Sequence, residues 1–75
     1  MARGDLTTYV EVADLLEQLP RLLREARRAR GLTLRATGLQ LGVSNATVLR
    51  IEMGADFLLT HAVVVLRWLD QGVAR

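Results

Sequence analysis

The tightest constraint in this chain is the tripeptide Gly42-Val43-Ser44, set between two short segments whose apolar residues recur at helical spacing. Gly42 admits the positive φ that a sharp turn between helices needs, with no Cβ to oppose it. Ser44 is a favourable N-cap for a following helix, and Val43 is an apolar anchor between the two segments. The segments are accordingly expected as helices over 34–41 and 45–53. So short a connection forces them to pack on each other. Val48 and Ile51, three apart, fall on the side facing the first of the pair, where Leu41 also lies. Ser44, Asn45, Ala46, Leu49 and Arg50 are left facing outward. A short helix with a small, polar N-terminal end and an outward Arg has the chemistry needed in a DNA major groove.

Composition narrows the remaining possibilities. Seventy-five residues suffice for one domain, 1–75, with a small core and a thin stability margin. The absence of Cys excludes disulfides and thiolate metal sites and gives no sign of an oxidising compartment. The longest uninterrupted apolar run, 62–66, is far too short to span a bilayer, and the N-terminus lacks the apolar core of a signal peptide. A soluble cytoplasmic protein is expected. His61 is the only His, has no ligand cluster near it, and reads as an ordinary first-turn residue. With carboxylates scattered over solvent faces, no catalytic constellation, metal site, cofactor or small-molecule ligand is expected.

Charge is distributed unevenly. Residues 1–18 hold one Arg against Asp5, Glu11, Asp14 and Glu17, for −3, whereas residues 19–54 hold seven Arg against Glu25 and Glu52, for +5. The basic half coincides with the paired helices and the segment before them. Every basic residue is Arg and none is Lys; Arg suits phosphate recognition through its planar fork, but total exclusion of Lys reads as genome composition.

Residues 7–19 are expected as an acidic first helix capped by Thr7 or Thr8, with Tyr9, Val12, Ala13, Leu16 and Leu19 as its apolar stripe. Pro20 is expected to end it, lacking an N–H to donate, and to open a second helix over 20–30. Leu22, Leu23, Ala26 and Ala29 form the buried side of that helix, and Gly31 with Leu32 closes it in a Schellman-type cap. Thr33 caps the 34–41 helix, whose free N-terminal amides attract phosphate, and Arg35 adds charge at the same end. Residues 55–59 read as a loop with apolar anchors. Thr60 is the expected cap of a last helix, 61–70, with Ala62, Val63, Leu66 and Leu69 on its inner face. Val64 and Trp68, four apart, form a second apolar face on that helix.

From 34 to 54 the sequence resembles the Cro/repressor-type (XRE-like, lambda-repressor-like) helix-turn-helix. Gly42, Val43, Val48 and Ile51 stand at its turn glycine and inward apolar positions, Ser44-Asn45-Ala46-Thr47-Val48 resembles the S-x-x-T-[IV] entry to its recognition helix, and Ile51-Glu52-Met53-Gly54 resembles its [IW]-E-x-G exit. The likeness extends over residues 22–69. Gly38 stands where Ala is usual, keeping a close helix–helix approach at about 1 kcal/mol of helix propensity. Thr37 and Leu34 replace commoner apolar and Gln residues, so contacts made by that Gln do not carry over. The resemblance implies that Asn45 and Ala46 reach base edges, Asn pairing with adenine and Ala meeting a thymine methyl. Ser44 and Thr47 would hold backbone oxygens, Arg50 a phosphate or a guanine, and Leu49 the groove wall or a thymine methyl. It also implies a structural pair, Arg27 with Glu52.

The expected fold is all-α, a five-helix bundle of lambda-repressor-like type in which 7–19 is an extra N-terminal helix and 20–70 the helix-turn-helix core. The expected function is binding of specific double-stranded DNA as a small transcriptional regulator, of phage or prophage type, acting as a homodimer on two half-sites. The exposed Val64/Trp68 face is the expected dimer surface. Two other readings are a protein-interaction module, such as an antitoxin, and a helix-turn-helix used structurally within a larger complex.

Overall fold

The computed structural model describes residues 8–72. They form α-helices in the order α1 (Tyr9–Ala29), α2 (Leu34–Leu41), α3 (Asn45–Glu52) and α4 (Leu59–Gln71), and among the described residues there is no strand. The expected start at residue 7 and the tail after residue 72 lie outside them.

The helix count corrects the sequence expectation of five. Pro20 lies inside α1, which runs for 21 residues without interruption. Its missing N–H removes one hydrogen bond, the one the Leu16 carbonyl would accept. The helix continues because Leu16, Leu19, Leu23 and Ala26 carry a single helical stripe across the proline onto one core. Its start is a capping box: the Thr8 hydroxyl accepts from the Glu11 amide at 3.1 Å, and the Thr8 amide donates to the Glu11 carboxylate at 2.8 Å. At its other end the Leu32 amide donates to the Arg27 carbonyl and the Gly31 amide to the Arg28 carbonyl, both at 3.0 Å, the two bonds of a Schellman cap.

The core is built from Leu19 and Leu23 of α1, Leu41 of α2, Val48 and Ile51 of α3, and Ala62, Val65 and Trp68 of α4. α1 crosses both α3 and α4, while α2 packs on α3 and α4. The first half of α1 overhangs this core. Tyr9 is 94% and Val10 69% exposed, and Val12 and Ala13 are also exposed, so the expected stripe is buried only from Leu16 onward.

Two corrections concern α4. It begins at Leu59, not His61, and its N-cap is Leu58 with no side-chain cap bond, so Thr60 is a helical residue and not a cap. Its inner face is Ala62, Val65 and Trp68, with Val63 exposed and Leu66 and Leu69 half-buried. Trp68, expected on an exposed dimer face, is only 4% exposed within one chain, and Val64 is half-buried. The indole is closed over from two sides. Its Nε1 donates to the Gln40 Oε1 of α2 at 2.7 Å, and the Arg30 guanidinium stacks on the ring 3.8 Å from its centre. The same guanidinium donates to the Trp68 and Leu69 carbonyls at 3.3 and 3.2 Å, holding the C-terminal end of α4 on the end of α1.

The α2–α3 turn is tight because two glycines make it so. Gly42 has φ +81°, the left-handed value the turn demands, and the amides of Gly42 and Val43 both donate to the Gly38 carbonyl, at 2.7 and 2.9 Å. A Cβ on Gly38 would lie 2.6 Å from the Val43 carbonyl oxygen, 3.2 Å from the Ser44 carbonyl carbon and 3.3 Å from the Asn45 nitrogen. These are backbone atoms of the turn and the start of α3, and they cannot rotate aside.

Gly38→Ala therefore sets a gain of about 1 kcal/mol in helix propensity against an overpacking cost of about 1–3 kcal/mol. The variant should melt several degrees lower, since about 1 kcal/mol shifts a domain of this size by roughly 4–8 °C. A melting temperature at or above that of the parent would show that the turn relaxes freely.

Glu52→Ala tests the strongest cross-element contact. Arg27 donates from Nε to Glu52 Oε2 at 2.6 Å, from Nη2 to Oε1 at 3.1 Å and from Nη1 to the Leu32 carbonyl at 3.1 Å. The two side chains are only 15% and 4% exposed. Removing the carboxylate strands a half-buried guanidinium, and the variant should lose about 2–4 kcal/mol in denaturant unfolding. An unchanged denaturation midpoint would mean that the pair is replaced by solvent at no loss.

Candidate nucleic-acid interface

The helix α3 is aimed by its two ends. At the start, the Ser44 hydroxyl accepts from the Thr47 amide at 3.1 Å and lies 2.9 Å from the Thr47 hydroxyl. One of the two hydroxyl protons is used between them, which leaves the other to be donated outward. At the far end, the Arg27–Glu52 pair ties the last residue of α3 to the last turn of α1. The hydrogen bonds Arg27 donates to Glu52, reinforced by the carboxylate charge, raise the Arg27 pKa above the ordinary guanidinium value against the opposing effect of burial. A raised pKa contributes stability that is whole below the unfolded-state value and is lost only as pH climbs through the folded one, so Arg27 keeps its charge throughout the physiological range.

Between these ends, Val48 and Ile51 are buried while Ser44, Asn45, Ala46, Leu49 and Arg50 are exposed. Leu49 is 44% exposed on this outer face, and Thr47 is half-buried. At the α2 N-terminus the Thr33 hydroxyl accepts from the Ala36 amide at 3.0 Å, keeping its own proton for donation, and Arg35 in the first turn is exposed. Thus the N-terminal ends of α2 and α3 each present a hydroxyl and backbone amides without an intrahelical partner.

The basic residues divide into structural and available groups. Arg27 is held by Glu52, Arg21 is paired with Glu25 at 3.2 Å, and Arg30 is tucked onto Trp68. Arg24, Arg28, Arg35 and Arg50 have no hydrogen-bonded or ionic partner among the described residues. Two of these four, Arg35 and Arg50, sit on the helices that carry the turn.

Sequence reasoning missed one neighbour of this surface. A cleft of about 370 Å³ runs between the second half of α3 and the start of α4, lined by Thr47, Arg50, Asp56, Phe57, Leu58 and His61. His61 Nδ1 is buried there without a hydrogen-bond partner. No local sequence signal marks it, because Arg50 and His61 are brought to one cleft only by the packing of the fold. Among the described residues no group of three or more His, Cys, Asp or Glu is placed to hold a metal ion, and no helix is long and apolar enough to cross a membrane.

No curated protein and no solved structure matches the chain significantly. Over residues 18–69, however, it matches the helix-turn-helix domain family. The matched span runs from Gln18, two residues before Pro20, through the Gly42 turn, to the end of the α4 core face. The match covers well over half of the chain, and the chain belongs to that family: it is a helix-turn-helix DNA-binding protein.

Proposed function

We propose that the protein is a small transcriptional regulator of the Cro/repressor type, of phage or prophage origin, that binds a specific double-stranded DNA operator in the bacterial cytoplasm. The observation that carries this reading is the outer face of α3, where Asn45, Ala46, Leu49 and Arg50 stand exposed on a helix locked at both ends. Asn45 and Ala46 sit at the leading end of the helix, where a major-groove reader meets base edges, Asn by paired hydrogen bonds to adenine and Ala by contact with a thymine methyl. Arg50 is one turn further back and acts on a phosphate. Thr33, Arg35, Ser44 and Thr47 hold the backbone and set register without reading sequence.

One helix of eight residues reads only a few base pairs, so the operator is a pair of half-sites bound by a homodimer, about 34 Å apart on one face of the duplex. Nothing in the reading calls for a cofactor. Occupancy is set by protein concentration and by competition at the operator.

Selection of bound sites from a random duplex pool tests the function. A recurring pair of half-sites is expected. Against the selected site, Asn45→Ala should weaken binding by about 1–3 kcal/mol and relax preference at one base position. Arg50→Ala should instead weaken all sequences alike and flatten the salt dependence by about one unit of slope. An Asn45→Ala protein that selects the parental site with parental affinity would remove the base-reading role.

A further inference from the structure

The cleft beside Arg50 is built by the way the chain leaves α3. That helix ends in a Schellman cap, in which the Ala55 amide donates to the Arg50 carbonyl at 3.1 Å and the Gly54 amide to the Ile51 carbonyl at 3.0 Å. The chain then turns back, Phe57 packs against the core, and α4 starts at Leu59. His61, in the first turn of α4, thereby shares a cleft with Thr47 and Arg50. The lining is mixed. Ile51, Phe57 and Leu58 supply apolar surface, and Thr47, Arg50, Asp56 and His61 supply polar groups. A DNA backbone unit has the same two parts, a phosphate anion and a deoxyribose with apolar C–H faces.

His61 is the unsatisfied member of this set. Its ring is half-buried, and Nδ1 is buried without a hydrogen-bond partner. A polar atom left in that state costs free energy. In the charged form both ring nitrogens are donors, and phosphate oxygens are strong acceptors for them. The titratable groups of the cleft are Arg50 from α3, Asp56 from the connection and His61 from α4, and α1 and α2 contribute no residue to its lining. Arg50 opposes a positive charge on the ring and Asp56 favours one. A phosphate held by Arg50 offsets the first effect and adds to the second. The chain on DNA therefore holds a proton on His61 more firmly than the free chain does.

We propose that His61 is a further DNA-contacting residue and that operator binding is coupled to uptake of a proton on its ring. The imidazolium and Arg50 hold one backbone phosphate between them, with the sugar against Phe57 and Leu58. This inference rests on the operator-binding reading above and gives it a control besides protein concentration. The affinity gained is whole at a pH where even the free chain carries the proton. It is lost as pH rises to where the bound chain gives the proton up.

Fluorescence anisotropy of a labelled duplex carrying the selected site is the test, at fixed ionic strength and at about pH 5.5 and about pH 8, near the ends of the range in which imidazole titrates. The parent is expected to bind about tenfold more tightly at the acid end, the factor given by one decade of proton affinity gained on binding. His61→Gln, which cannot be charged, should bind at both ends with the parent's weaker affinity, and His61→Arg should bind tightly at both. Circular dichroism follows the helicity of each variant. A second readout needs no variant, because His61 is the only His in the chain. Its ring-proton signal, recorded near neutral pH, should move toward its acid-limit position as duplex is added. Equal parental affinity at the two ends, a pH dependence that survives in His61→Gln, or a ring signal that stays in place would overturn the proposal while leaving DNA binding standing. A parent that binds no duplex at either end would overturn the operator-binding reading and this inference with it.

Discussion

The interaction on which the rest of the structure depends is the Arg27–Glu52 pair. It joins the C-terminal turn of α1 to the C-terminal end of α3, and through its third donor it also holds the Leu32 carbonyl in the α1–α2 connection. Three elements are thereby referred to one guanidinium. Only Arg supplies this, because its donors lie in one plane with fixed angles, whereas a Lys ammonium is a single point charge. A half-buried ion pair is not in itself a large source of net stability, since desolvation offsets much of the attraction. Its contribution is positional: apolar contacts among Leu19, Leu23, Val48 and Ile51 are non-directional and permit small rotations of α3 that the paired bonds do not.

The opposite end of α3 is held by steric exclusion instead of charge. Gly38 lets the Val43 carbonyl and the Asn45 amide lie against α2, and Gly42 turns the chain between them. A helix fixed by a close backbone approach at its start and a paired charge at its end is rigidly aimed. Rigidity suits recognition by hydrogen bonds to base edges, where small displacements forfeit contacts.

Most of this end of the molecule was legible in the sequence, and the reasons are local. Gly42, Ser44 and Thr33 act through the backbone within a few residues, and the caps they specify are present. Gly31 and Leu32 close α1 in the cap their order suggests. What was not legible was decided by packing across the fold. Pro20 carries a local signal to stop, yet a continuous apolar stripe on both sides of it outweighs one lost hydrogen bond. Thr60 carries a capping signal, yet Phe57 packs against the core and α4 already starts at Leu59, two residues before the expected His61. Arg30 reads as a solvent charge from its neighbours, and only the arrival of α4, 38 residues later, converts it into the cover of Trp68. That same contact withdraws Trp68 from the surface, so the apolar face left over belongs to α1 and the flank of α4.

The central claim is that the outer face of α3, with the N-terminus of α2 beside it, is the surface that meets DNA. Its most direct test is an amide chemical-shift map recorded while the labelled protein is titrated with a duplex containing its selected site. The account predicts that the largest changes fall on residues 33–36 and 44–50, with α1 from Tyr9 to Gln18 little affected. Changes concentrated on α1 and the outer flank of α4, with α3 silent, would contradict it.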